Sequence, residues 1–166
     1  MKNCKSFYLW VEDRYGTKFF SRLLERIESK LEVTIPKRYP EGKFIKIKSA
    51  RTVGNIETKI DKAVALAWKR YDCAIVVCDG DGKREERLKR LNKKVSEIKE
   101  RPENKNKKVI LIVFKKAIES DWIEKGLDEK IDYGDKAELP NYADKLNLNL
   151  LKEDENFKEF IYAVDP

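Results

Sequence analysis

The chain has 166 residues, 41% of them hydrophobic and 40% charged, with 37 Lys and Arg against 30 Asp and Glu for a net charge of +7. That length suits one domain with a real core, and the apolar fraction excludes a disordered chain. There is no histidine, and the three cysteines Cys4, Cys73 and Cys78 lack CxxC spacing, so structural zinc, a disulfide framework and every Ser-His-Asp or Cys-His mechanism are argued against.

The first apolar run, Ser6–Val11, is rich in aromatic residues and predicts a strand that ends on Glu12 and Asp13. Phe20, Leu23, Leu24, Ile27 and Leu31 then recur at helical spacing and predict a helix over about 16–31. After a loop with Pro36, Pro40 and Gly42, the residues Phe44, Ile45 and Ile47 alternate with lysines as a second strand. The segment Ser49–Asn55 follows, with Asn55 as the expected N-cap of a helix striped by Ile56, Ile60, Ala63, Val64, Ala67 and Tyr71.

Ala74–Cys78 is a continuous apolar run, as expected for a strand buried on both faces. It runs directly into Asp79-Gly80-Asp81-Gly82-Lys83, and a third helix follows with Leu88, Leu91, Val95 and Ile98. The polar segment 101–108, with Pro102, connects to the fourth strand, Val109–Phe114. Beyond it, Ile118–Ile123 predicts a short helix, 132–140 a loop, and Glu153–Ala163 a final helix with Phe157, Phe160 and Ile161 on its stripe.

Alternating strands and helices predict an α/β domain built on a mainly parallel four-stranded sheet flanked by helices, with a short helical C-terminal tail. Parallel strands deliver their chemistry at their carboxyl ends. Three acidic clusters fall there: Glu12 with Asp13, Asp79 with Asp81, and Glu119 with Asp121. Carboxylates that meet in one place repel one another unless a cation intervenes, and Mg²⁺ or Mn²⁺ suits hard oxygen ligands and phosphate substrates.

In this order of elements the chain resembles the Toprim domain family, which is shared by topoisomerases, primases, recombination proteins and OLD-type nucleases. The family has a glutamate after the first strand, a glycine after the second and an Asp-x-Asp after the third; Glu12, Gly54 and Asp79-Gly80-Asp81 occupy those positions here. Ile118-Glu119-Ser120-Asp121-Trp122 is similar to the Glu-Ser-Trp segment of OLD-like members, with one residue more, and Asp13 stands where the family usually has glycine. The resemblance covers about residues 5–125, as the core of one domain over 1–166 with a helical extension from about 126. It implies a Mg²⁺-dependent phosphodiester hydrolase or phosphotransferase acting on DNA or RNA, most readily a nuclease. Glu12 would be its general acid/base, and Asp79, Asp81 and Glu119 its metal ligands.

Arg51, Gly54, Lys83, Arg84 and Arg87 lie near these carboxylates in the sequence and are the expected nucleic-acid contacts. Plainer roles stand beside the chemical ones. Glu12 or Glu119 would also suit a helix start, Asp13 a solvated turn, and the basic residues of the third helix a solvated face. Tyr8, Trp10 and Trp68 fit a core better than a base-stacking platform.

Two other functions remain in view: a non-catalytic, metal-dependent nucleic-acid-binding module acting with a protein partner, and a phosphohydrolase or transferase for small nucleotides, although neither a Walker A nor a dinucleotide fingerprint is present. No apolar run approaches the ~18 residues of a membrane span. Glu12, Asp13 and Arg14 interrupt any secretory apolar segment, so a cytoplasmic protein without a membrane partner is expected.

Overall fold

The computed structural model describes residues 4–134 and 136–165. Four strands, β1 (Phe7–Val11), β2 (Ile45–Ser49), β3 (Cys73–Cys78) and β4 (Lys108–Val113), form one all-parallel sheet in the order β2-β1-β3-β4. The register pairs Val11 with Ser49 on one side and with Val77 on the other, and Cys78 with Val113. The carboxyl ends of all four strands therefore share one edge. Every residue of β3 is buried, as its uninterrupted apolar sequence requires, whereas the edge strand β2 alternates half-buried isoleucines with exposed lysines.

Pleating sends alternate residues to opposite faces, and each face has its own core. Phe7, Leu9, Val11, Ile75, Val77 and Ile112 pack with α1 (Arg14–Lys30) and the C-terminal elements, including α6 (Glu155–Val164). Trp10, Ala74, Val76, Cys78, Leu111 and Val113 pack with α2 (Val53–Ala67) and α3 (Arg84–Lys99) on the other face. Trp10 and Trp68 are buried there, in line with the expectation for both.

Between β4 and α6 the chain makes a π-helical turn over Glu119–Ile123, runs into the short α4 (Glu124–Leu127), and later forms α5 (Leu139–Ala143). Trp122 fixes the π turn. It is fully buried, lies edge-on to Phe114 and Phe157 at centroid distances of 4.9 and 5.4 Å, and donates its indole N–H to Asp154 Oδ1 at 3.1 Å.

Several expectations are corrected. The first helix starts at Arg14 rather than 16, because Asp13 caps it by accepting the Gly16 N–H at 2.9 Å. Thr52, not Asn55, caps α2, with its hydroxyl accepting the Asn55 N–H at 3.1 Å; the Asn55 side chain donates instead to Ala50 O. The segment expected as a loop over 132–140 holds a 3₁₀ turn at Lys136–Glu138 and the start of α5. Cys4 and Cys73 form a disulfide, against the expectation of none, joining the residues ahead of β1 to the first residue of β3. A separation of 69 residues hid that pair, since only strand pairing brings the two together. Among the described residues no helix is long and apolar enough to cross a membrane.

Candidate active site

At the shared carboxyl edge, Glu12 follows β1 directly and its Oε2 accepts the backbone N–H of Asp79 at 2.8 Å. One strand's exit is thus tied to the next. The Asp79 carboxylate accepts the N–H of Ile118 at 3.0 Å, which brings the segment after β4 to the same spot. Glu119, the next residue, is 3% exposed. Its Oε1 pairs with Lys136 Nζ at 2.5 Å, and its Oε2 is buried with no hydrogen-bond partner among the described residues. Glu12, Asp79 and Glu119 therefore gather from three elements, with Lys136 among them. A small cavity of about 30 Å³ beside them is lined by Glu12, Asp13, Asp79 and Lys136 on its polar side and by Phe20 and Phe114 on its apolar side.

The electrostatics follow from this crowding. Burial raises the Asp79 carboxyl, and the neighbouring Glu12 and Glu119 raise it further, to about 8, against the pull of the Ile118 N–H and Lys136. Glu12 is also raised, first by burial and then by Asp81 and Asp13, while its bond from Asp79 N opposes the shift. The Lys136 ammonium loses ground to burial but is raised overall by its bond to Glu119. Cys78 is a buried free thiol, pushed up to about 12 by burial and then by Glu12, which leaves it unreactive.

Asp81 does not join this group. The loop turns at Asp81 and Gly82, both with positive φ (52° and 80°), and the Asp81 carboxylate reaches outward to Arg87 at 3.2 Å. Gly80 has no freedom of substitution, since a Cβ there would lie 2.1 Å from Phe114 O. Arg87 is 9% exposed and built into the structure: it also pairs with Glu57 at 3.0 Å and donates to the Asp79 carbonyl. Arg84 is similarly engaged, giving its Nε–H to Val113 O at 2.7 Å and pairing with Glu85.

Lys83 and Arg51 are exposed, and neither has an ion-pair partner among the described residues. Gly54 lies in the first turn of α2, where a Cβ would meet only Thr52 Oγ1 at 3.7 Å. The capping role weighed for Glu12 belongs to Asp13. Lys136 and Glu57 were not anticipated; Lys136 sits in an aperiodic stretch, and nothing in its sequence context marks it.

Among the described residues no three His, Cys, Asp or Glu side chains stand together as a ready-made metal cage. Mg²⁺ does not ask for one, because it commonly takes one or two carboxylates and completes its shell with water and substrate phosphate. The unpartnered Glu119 Oε2 and the mutual repulsion centred on Asp79 make Asp79 and Glu119 fitting donors for such an ion. Asp81, held by Arg87, fits less well. No family model matches the chain, and no curated protein matches it.

Proposed function

We propose that the chain is a Toprim-type, Mg²⁺-dependent phosphodiester-cleaving enzyme acting on nucleic acid. What supports the reading is the convergence of Glu12, Asp79 and Glu119 at the carboxyl edge of a parallel sheet, in the order that the Toprim resemblance implies. Asp79 and Glu119 would hold the ion, and the bound ion would set positive charge against the non-bridging phosphate oxygens.

Glu12 moves the proton. Its raised affinity for protons brings it nearer neutral pH, and the Asp79 N–H holds the carboxylate in place for transfer to or from a water or leaving oxygen. Lys136 orients Glu119 through their ion pair, and Arg87 fixes the Asp79–Gly82 loop from behind through Asp81 and the Asp79 carbonyl.

The test is cleavage of labelled DNA and RNA, single- and double-stranded, against Mg²⁺ concentration. Glu12→Gln lowers turnover by about 10²–10⁴-fold with little change in the Mg²⁺ required. Asp79→Asn raises the Mg²⁺ required. If excess Mg²⁺ rescues Glu12→Gln and not Asp79→Asn, the roles are reversed. If no preparation cleaves any substrate, the enzyme reading falls. A metal-independent nucleic-acid-binding module then takes its place, a reading favoured by Lys136, which already supplies a cation to this site.

A further inference from the structure

On the α2 face of the sheet the edge strand is left uncovered. Tyr8 and Trp10 of β1 stand beside Lys46 and Lys48 of β2 in register, so the outermost positions of that face are lysines rather than core residues. Opposite them, Asn55, Lys59, Lys62 and Leu66 recur at helical spacing along one side of α2, and Arg70 follows just past the helix's end. Between strand and helix runs an open groove of about 810 Å³, closed at one end by Glu41 and Gly42 and at the other by Ser49, Ala50 and Arg51.

Among the described residues six basic side chains line it, namely Lys46, Lys48, Arg51, Lys59, Lys62 and Arg70, against the one carboxylate of Glu41. None of the six forms an ion pair among the described residues, while Arg84, Arg87 and Arg90 on the neighbouring helix all do. Lysines on an edge strand have a purpose of their own, which is to keep the edge from pairing with another chain. That purpose accounts for Lys46 and Lys48. It does not account for the cations that face them from α2.

We propose that this groove seats a single strand of nucleic acid, with its phosphates on the six basic side chains and its bases against Leu66 and Tyr8. The dimensions favour one strand over two. Five residues of β2 at ~3.3 Å each give a groove about 16 Å long, so its volume corresponds to a channel roughly 7–8 Å across. A length of about 16 Å spans some four to five phosphates at the ~3.4 Å stacked rise.

The apolar component fits as well: Leu66 is 66% exposed amid the cations and Tyr8 is half-buried, a mixture that suits a ligand with charge along one side and flat apolar bases along the other. The groove ends at Arg51, one strand from Glu12, since Ala50 N–H bonds to Val11 O at 2.7 Å. The bound strand is thereby led toward Glu12 and Asp79, a destination that rests on the function proposed above.

The test measures binding of a labelled strand of about ten nucleotides, as DNA and as RNA, by fluorescence anisotropy in EDTA across a salt series. The full chain is compared with Lys59→Glu/Lys62→Glu in the groove and with Lys89→Glu/Lys93→Glu, an equal charge change at exposed positions of α3. Circular dichroism checks that both variants are folded.

The groove variant should lose about tenfold or more in affinity, and the magnitude of its log–log salt slope should fall by about 1.4, at ~0.7 per phosphate contact. The α3 variant should lose much less. Equal losses in the two variants, tighter binding to duplex than to single strand, binding only to anionic phosphatidylserine vesicles or to a poly-glutamate peptide, or no binding at low salt would each overturn the proposal. A chain that binds single strands through the groove but cleaves none under Mg²⁺ overturns the proposed enzyme function and leaves the groove assignment standing. Cleavage of single strands that the groove variant leaves unchanged does the reverse.

Discussion

Replacing Gly80 by alanine tests whether the loop after β3 is held by backbone packing. The added Cβ would lie 2.1 Å from Phe114 O and 3.2 Å from both Arg84 Cα and Lys115 O, and none of these atoms belongs to a flexible side chain. Relief requires a separation of more than about 1 Å between the loop and the end of β4. That separation strains the two bonds joining these segments, Asp81 N–H to Lys116 O and Gly82 N–H to Lys115 O, each 2.9 Å long.

At about 1 kcal/mol per hydrogen bond and about 1–3 kcal/mol for overpacking, part of which relaxes as the bonds give, the expected loss is about 2–4 kcal/mol. For a chain of this size that is a fall in Tm of roughly 5–15 °C. Gly54→Ala is the control. In the first turn of α2, with its nearest neighbour at 3.7 Å, the new methyl is accommodated and the helix gains up to about 1 kcal/mol. Thermal unfolding of the two variants by circular dichroism decides the matter. A Gly80→Ala protein that melts with wild type, or a Gly54→Ala protein that falls as far, refutes this account of the loop.

Asp79 is expected to make stability depend on pH when divalent cations are chelated. Its folded-state affinity for protons is raised from near 3.8 to about 8, so its stabilising share is complete in acid and is lost as pH rises through that window. The Tm of Asp79→Asn should therefore gain on wild type between pH 5 and 8.5 in EDTA, and parallel curves would count against the buried carboxylate cluster. Trp122→Ala removes the centre of the aromatic group with Phe20, Phe114, Phe157 and Phe160, and should cost about 3–5 kcal/mol in urea unfolding. Cys4→Ser opens a loop closed across 69 residues and should cost about 4 kcal/mol by chain entropy; a melt that dithiothreitol shifts in wild type and not in Cys4→Ser confirms the cause.

The architecture was legible because each strand is announced by its composition. β3 is apolar throughout, and β1 and β4 are nearly so, and the intervening helices carry stripes that only a 3.6-residue period aligns. The meeting of Glu12 with Asp79 was legible for the same reason, since parallel strands put their exits on one edge. What the sequence conceals is orientation within two residues. Asp79 and Asp81 look equivalent in Asp-Gly-Asp-Gly, yet the turn at Asp81 carries its carboxylate outward to Arg87, whereas Asp79 stays with the sheet.

The partners Lys136 and Cys4 were hidden by separation, as their contacts with Glu119 and Cys73 depend on tertiary packing. The groove was hidden in another way. Lys46 and Lys48 read as ordinary edge lysines until the α2 stripe is seen to face them across open space.

The pleat of β1 and the π turn also place two of the protein's three indoles in separate regions. Trp10 lines the cationic groove on one face of the sheet, and Trp122 lies beneath Glu119 on the other, three residues along the chain. Each region thus carries a built-in optical probe. In single-tryptophan variants, emission from Trp10 would follow occupancy of the groove and emission from Trp122 would follow events among the carboxylates. Parallel stopped-flow traces of the two variants would then time events in the groove and among the carboxylates separately, with no label added to the protein.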